Sequence, residues 1–340
     1  MMIAVHKNED RLFDIKWAEY LRKYGCEVVE LDFKKAESFE KVLACDGAMW
    51  HYHHDPYDKQ VAPKILDTIE KVCGIPVWPN YYTRWHFDEK VSQSYILKAL
   101  NEPSVKSWIF WNKEDALDFI KKARFPLVFK LSVGAGSANI VKVNSAAEAE
   151  KYIIRMFDYG IYPYSLNEYE KSKSLKVITK SAIKQYLYPE KLLLPTYYQV
   201  QKGYVFFQEF IQDNAYDIRV TIIGNRAFGF IRYNRKDDFR ASGSGMIEYD
   251  IKKIPREAIE TAFRISDKMG FQSMAYDFLM DSQGRCLVNE MSYGYMDKAV
   301  YDCGGHWDRA MQWHEGHMWP EEAHVIDFID CIKKSRNCIS

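Results

Sequence analysis

The sequence predicts an α/β protein built from separate α+β lobes, and three observations carry that prediction. Strands and helices alternate up to about residue 80, later strands come in pairs joined by glycine-bearing turns, and 340 residues are enough for more than one core. Met2 to Val5 reads as a short buried strand, residues 12–24 as an amphipathic helix closed by Gly25, "CEVVELDF" as a second strand and "GAMWHYH" as a third. A helix from about Gln60 to Val72 leads into "GIPVWPN", a further short strand. Such alternation implies a parallel sheet flanked by helices, and the expected first lobe spans residues 1–85.

The second lobe is expected over residues 86–203. "DEKVSQSYILKAL" is helical, "SVKSWIFWN" a strand, "KEDALDFIKKA" a helix capped by Asn112, and "FPLVFKLSVGAGSANIVKV" a strand, a glycine turn and a second strand, with a helix starting near Ser145. Residues 158–204 are dense in tyrosine and break periodicity, which predicts an irregular insertion serving as a lid or an interface. The third lobe, residues 204–340, opens with "YVFFQEFI", "DIRVTIIG" and "RAFGFIRYN", continues through a helix "PREAIETAFRISDKMG", and ends in a helical tail.

Composition excludes some classes. Lys plus Arg equals Asp plus Glu at 47 each, so no basic field points to nucleic acid or an anionic membrane. No run approaches a membrane span, and the first residues are too short of apolar side chains for a signal sequence. The seven cysteines are odd in number, scattered and without a CxxC pair, which fits reduced thiols. A cytoplasmic protein is expected.

The chemistry concentrates in three places. Lys130 ends an apolar strand just before a turn holding Gly134, Gly136 and Ser137, where backbone N–H groups could approach phosphate oxygens beside the lysine charge; an ordinary hairpin turn has the same composition. Asp217 follows a polar loop, and Arg232, Arg235 and Arg240 surround a Gly-Ser loop suited to clamping anions. In "MAYDFLMDSQGRCLVNEM", two apolar strands flank Asp281-Ser282-Gln283-Gly284. Pairing Met280 with Arg285 sets Asp277 opposite Val288, and Glu290, two residues on, shares that face, so both carboxylates converge unless they are merely solvated.

From Asp88 to about Tyr295 the chain resembles the ATP-grasp superfamily, most closely its carboxylate–amine ligases such as the glutamate ligase that extends a ribosomal protein. The matches are "YDIRVTIIGNRAFGFIRYNRKDDFRASGSG" and "MAYDFLMDSQGRCLVNEM". The resemblance implies an ATP-grasp fold preceded by a Rossmann-like lobe, with ATP and Mg²⁺ as cofactors. It implies that Lys90, Lys130 and the glycine turn contact phosphate, that Gln208, Glu209, Phe210 and Ile211 hold adenine through backbone groups, and that Asp217 binds ribose. By the same resemblance Arg232 and Arg240 face the phosphates and the acyl intermediate, while Asp277 and Glu290 bind Mg²⁺. Where the family has Glu-x-Asn this chain has Ser292, whose hydroxyl would stand in for the amide oxygen.

The implied partners are a small-molecule carboxylate and an amine, with no nucleic acid and no membrane insertion. A looser similarity of "WHEGHMWPE" and the first lobe to ATP-grasp proteins of bacterial surface-polysaccharide pathways suggests a sugar acid, and a homodimer is the candidate assembly. A phosphotransferase and a non-catalytic ATP binder remain as alternatives. Two histidine-rich stretches, with His51, His53, His54 and Asp55 in one and His314, His317 and His324 in the other, invite a metallohydrolase reading. His314-Glu315-Gly316-His317 lacks the His-Glu-x-x-His spacing, however, and the first stretch ends a strand where α/β lobes bind substrates.

Overall fold

A computed structural model describes residues 1–8, 13–52, 54, 56–134, 139–163, 200–236, 238–241 and 243–337. Two compact units are present: one comprises Met1–Phe87, Ile96–Ser104 and Asn214–Ser340, the other Asp88–Tyr95 and Val105–Asp213. Residues 164–199, the bulk of the expected tyrosine-rich insertion, lie outside the described residues.

The first unit opens with β1 (Met2–His6), α1 (Phe13–Lys23), β2 (Glu27–Leu31), α2 (Ser38–Leu43), β3 (Gly47–Met49), α3 (Pro56–Asp67), a π-helical turn (Thr68–Val72), β4 (Val77–Trp78) and α4 (Tyr81–Arg84). The four strands form a parallel sheet in the order β2-β1-β3-β4, as the alternation of elements predicts. The helix expected from Gln60 starts four residues earlier, at Pro56, since proline is tolerated in a first turn whose N–H groups have no intrahelical partner.

The second unit is an antiparallel sheet in the order β5-β8-β6-β7, made of β5 (Ser107–Phe110), β6 (Leu127–Lys130), β7 (Ile140–Val143) and β8 (Val205–Glu209). Helix α5 (Lys90–Ala99) begins in this unit and ends in the other. Helices α6 (Lys113–Ile120) and α7 (Ala146–Asp158) cover the sheet's apolar face, where Phe129, Phe207, Ala149 and Ile153 are fully buried. Asn112 caps α6 as expected, its side-chain oxygen accepting from the amides of Glu114 and Asp115 at 2.8 and 3.1 Å.

The rest of the first unit is a seven-stranded sheet. Its path runs β13-β12-β9-β10-β14-β15, from β9 (Tyr216–Ile223), β10 (Arg226–Tyr233), β12 (Ser273–Met280), β13 (Cys286–Ser292), β14 (Gly305–Trp307) and β15 (Trp313–Glu315), with β11 (Ile247–Glu248) paired to β10. Helix α8 (Arg256–Met269) packs on one face against Tyr276 and Phe278, both fully buried, and burial of such a ring contributes about 2 kcal/mol. Gly270, at φ +67°, ends α8: its amide donates to Asp267 and that of Phe271 to Ser266, satisfying the last carbonyls. Helices α9 (Asp297–Tyr301) and α10 (Pro320–Asn337) complete the unit. Among the described residues no helix is long and apolar enough to cross a membrane, and the six described cysteines are free thiols.

Candidate active site

The hairpin of β12 and β13 corrects the expected register. Met280 pairs with Cys286 rather than Arg285, because the loop holds three residues, Ser282 to Gly284, closed by the Asp281 amide on the Arg285 carbonyl at 3.1 Å. Gly284 adopts φ +76° there, the left-handed position that a three-residue hairpin loop requires. Asp281 reinforces the turn by accepting from the amides of Gln283 and Arg285.

With that register Phe278, not Asp277, lies opposite Val288, and a regular ladder would aim Glu290 at the core beside Val288. A bulge prevents this. Between the pairs Phe278–Val288 and Asp277–Glu290 the register shifts by one residue at Asn289, and the strand changes phase. Cys286 and Val288 are buried before the bulge, Met291 and Tyr293 after it, so Glu290 faces Asp277 directly, away from that core. The carboxylates converge as expected, but by a route the alternation rule alone does not give.

Two acids opposed across a strand pair repel, and the neighbouring strands offset them. Arg219 on β9 pairs with Asp277 in register and donates from Nε and Nη2 to its two oxygens at 2.7 and 2.8 Å. Arg232 on β10 stands opposite Asp217, donates to both its oxygens at 2.8 and 2.6 Å, and reaches Asp277 at 2.8 Å. Burial works against the charge of Asp277, but Arg219 and Arg232 outweigh it and hold the carboxyl well below the usual range. Burial and the adjacent Asp277 instead push Asp217 up against the pull of Arg232, so Asp277 ionises first. Burial opposes the Arg232 charge too, and the two aspartates more than restore it.

Ser292 lies two residues beyond Glu290, opposite Ala275, and its hydroxyl exchanges hydrogen bonds with the backbone of Gly294 at 3.0 and 3.1 Å. Arg240 is elsewhere in the same unit: its guanidinium closes on Asp238 of its own loop at 2.6 to 2.9 Å. Arg219 is the residue that motif reasoning missed. Its signal was available, because it stands two positions from Asp217 on one strand and therefore on the same face.

In the other unit, buried Lys90 begins α5 and donates from Nζ to the Gly134 carbonyl at 2.5 Å. Asp88 accepts from the Gly134 amide at 2.8 Å, so the glycine turn is held from both sides of one residue. Gly134 adopts φ +113°, open to glycine, and an added Cβ would meet the Asn139 amide at 2.3 Å. Lys130 is buried at the end of β6, on the sheet face that also carries Gln208 and opposite the face of Phe129 and Phe207. Gln208 donates to the Ser107 hydroxyl at 3.3 Å, Glu209 is exposed with its amide bonded to the Lys106 carbonyl, and the Phe210 ring lies 4.1 Å from the Lys142 ammonium. Ile211 is half-buried just after β8, and Gly136 and Ser137 lie outside the described residues.

Of the described histidines in the two stretches, His51, His54 and His324 make packing contacts. The His51 ring stacks on Phe13 at 4.1 Å, His54 lies against Phe87, and buried His324 sits among Trp17, Ser273 and Tyr295. His314 bonds Asp308 and His317 the Tyr301 carbonyl; His53 and Asp55 lie outside the described residues. Among the described residues no group of three or more His, Cys, Asp and Glu side chains could hold a metal ion. Asp277, Glu290 and Ser292 form a smaller set of two acids and a hydroxyl, all oxygen donors, which fits a hard divalent cation that completes its shell with phosphate and water.

No family model matches the chain. Over 229 residues, 67% of this chain and 69% of the relative, it is 24% identical to the alpha-aminoadipate–LysW ligase LysX of Saccharolobus solfataricus. Its fold is similar to that of a RimK domain ATP-grasp protein from Sphaerobacter thermophilus, with TM-score 0.56 at 14% identity over 97% of this chain and 99% of the other. It is also similar to D-alanine–D-alanine ligase from Bacillus anthracis, with TM-score 0.59 at 14% identity over 98% and 99%. The antiparallel sheet with its lysine-clasped glycine turn belongs to one unit and the sheet with opposed carboxylates among arginines to the other. The fold is therefore that of ATP-grasp proteins, and in sequence the chain is similar to a ligase.

Proposed function

We propose that this protein is an ATP-dependent carboxylate–amine ligase, and the opposed pair Asp277 and Glu290, flanked by Arg219 and Arg232, is the observation that carries the reading. A substrate carboxylate oxygen attacks the γ-phosphorus of ATP and ADP leaves; an amine then attacks the acyl carbon, phosphate departs and the nitrogen loses a proton. No side-chain nucleophile is needed, so the protein's part is positioning and charge. Asp277 and Glu290, with Ser292, would hold Mg²⁺, which when bound neutralises the triphosphate. Lys90, Lys130 and the glycine turn would meet the phosphates, Gln208 to Ile211 the adenine, Asp217 the ribose, and Arg232 and Arg240 the transferring phosphoryl and the acyl group. The reading retains a functional division at residues 85 and 203.

A sugar acid is the candidate carboxylate. The test is a product assay in which hexuronic and amino-dicarboxylic acids are combined with amines, ATP and Mg²⁺. ADP, phosphate and a condensed mass appearing together support ligation. A phosphorylated acceptor without free phosphate would make the protein a phosphotransferase, and nucleotide binding without ADP release would make it a binder only.

A further inference from the structure

Arg232 and Arg219 hold their acids in different ways. Arg219 spends Nε and Nη2 on Asp277 alone, one bond to each carboxylate oxygen. Arg232 divides itself: Nε and Nη2 grip both oxygens of Asp217, and the second proton of that same Nη2 goes to Oδ2 of Asp277. Oδ2 of Asp277 therefore accepts two of these guanidinium bonds and Oδ1 one. Since a carboxylate oxygen has two lone pairs, Oδ1 keeps capacity for a cation while Arg219 fixes the plane of the carboxylate.

The consequence lies at Arg232, which is nine-tenths sequestered and joins two acids that face different parts of a nucleotide in the function proposed above. A hydroxyl seeking Asp217 competes with the guanidinium fork for the same oxygens. A divalent cation at Asp277 repels the same guanidinium. Each event loosens Arg232 from the acid that the other ligand needs.

We infer that Arg219 is the fixed positioning residue of Asp277 and that Arg232 is an exchangeable tether, so that a divalent cation and the ribose of a nucleoside bind cooperatively through it. The inference rests on the roles given above to Asp217 and Asp277. It also gives Arg232 a reason to be free for phosphate only when both ligands are in place.

Adenosine and Mn²⁺ separate this coupling from direct contact, because adenosine has no phosphate for the metal to bridge. With the full chain, adenosine affinity is measured by calorimetry with and without saturating Mn²⁺, and Mn²⁺ affinity by water-proton relaxation with and without adenosine. Each ligand is expected to tighten the other by the same factor, about tenfold, since coupling is reciprocal. Arg232→Gln should abolish the coupling with both ligands still bound, and Arg232→Lys, whose single ammonium keeps the charge without the fork, should reduce it. Arg219→Gln should change Mn²⁺ affinity and leave the coupling factor intact. Independent binding in the native chain, or coupling that survives Arg232→Gln, overturns the inference while the ligase reading stands on its product assay. Failure to bind adenosine or ATP under any condition overturns both.

Discussion

Asp277 and Glu321 are both carboxylates sealed from solvent, at 6% and 0% exposure, and their surroundings treat them in opposite ways. Asp277 receives two guanidiniums in good geometry and stays ionised. Glu321, near the start of α10, has one cation near it among the described residues, Lys16 at 3.4 Å, which also bonds Asp297 and lies over the Trp319 ring. Burial dominates there, and the Glu321 pKa is pushed up to about 8, with Asp297 adding to the rise. Burial alone does not make an acid functional. What marks the hairpin is that its sheet supplies enough positive charge to keep a buried acid charged, which is costly unless the charge is used.

The largest effect should come from breaking the charged region. Asp277→Asn leaves Arg219 and Arg232 with Asp217 alone, and should lower ATP turnover by about 10²- to 10³-fold and stability by about 3 kcal/mol. Glu290→Gln should cost a similar factor in turnover with little loss of stability. ADP release and urea unfolding check both, and full Mg²⁺-dependent turnover in the two variants would remove the acids from the mechanism.

Glu321 should respond with the opposite sign. Its folded pKa of about 8 exceeds its ordinary 4.5, so the folded state holds the proton more tightly. The stability this contributes is complete below about pH 4.5 and is lost as pH rises through 8. Glu321→Gln, neutral at every pH, should match the native chain at pH 4 and exceed it at pH 8.5 by on the order of 4 kcal/mol. Parallel urea midpoints across that range would mean that Glu321 is ionised throughout.

The smallest effect sharpens the metal side. Ser292→Asn should change stability by no more than about 0.5 kcal/mol, because an asparagine oxygen can take over the hydrogen bond from the Gly294 amide. It should also lower the Mg²⁺ concentration needed for half-maximal turnover several-fold, since a carbonyl is the better ligand. A loss as deep as that of Asp277→Asn would show that the hydroxyl itself is required.

Much of this was legible in the residues. The parallel sheet followed from alternation and the Asn112 cap from its residue type, while the grouping of Asp217, Arg232, Asp277 and Glu290 was what the family resemblance implied. The hairpin was legible only in outcome. Counting Asp281 to Gly284 as the loop put the register one residue off, since whether Arg285 belongs to the turn depends on hydrogen bonds from Asp281. The bulge at Asn289 then restored the convergence, and no local signal marks it, because its cause is tertiary: Val288 and Met291 must both reach the core. Arg219 was passed over since a motif directs the eye to acids, while alternation would have found it. The place of Arg240 against Asp238 is a matter of loop conformation, which periodicity does not report.

That bulge has a consequence for how the protein can change over generations. Val288 and Glu290 are separated by an even step yet face opposite sides, so the chemistry of the hairpin depends on a count of residues as much as on their kinds. No single amino-acid exchange can reproduce such a phase change in a regular strand. Insertions and deletions can, and losing Asn289 itself would leave Val288 and Glu290 as adjacent residues that alternate naturally, whereas losing Met291 would turn the buried side of the strand outward. The hairpin is therefore a stretch of chain where length is under tighter constraint than composition.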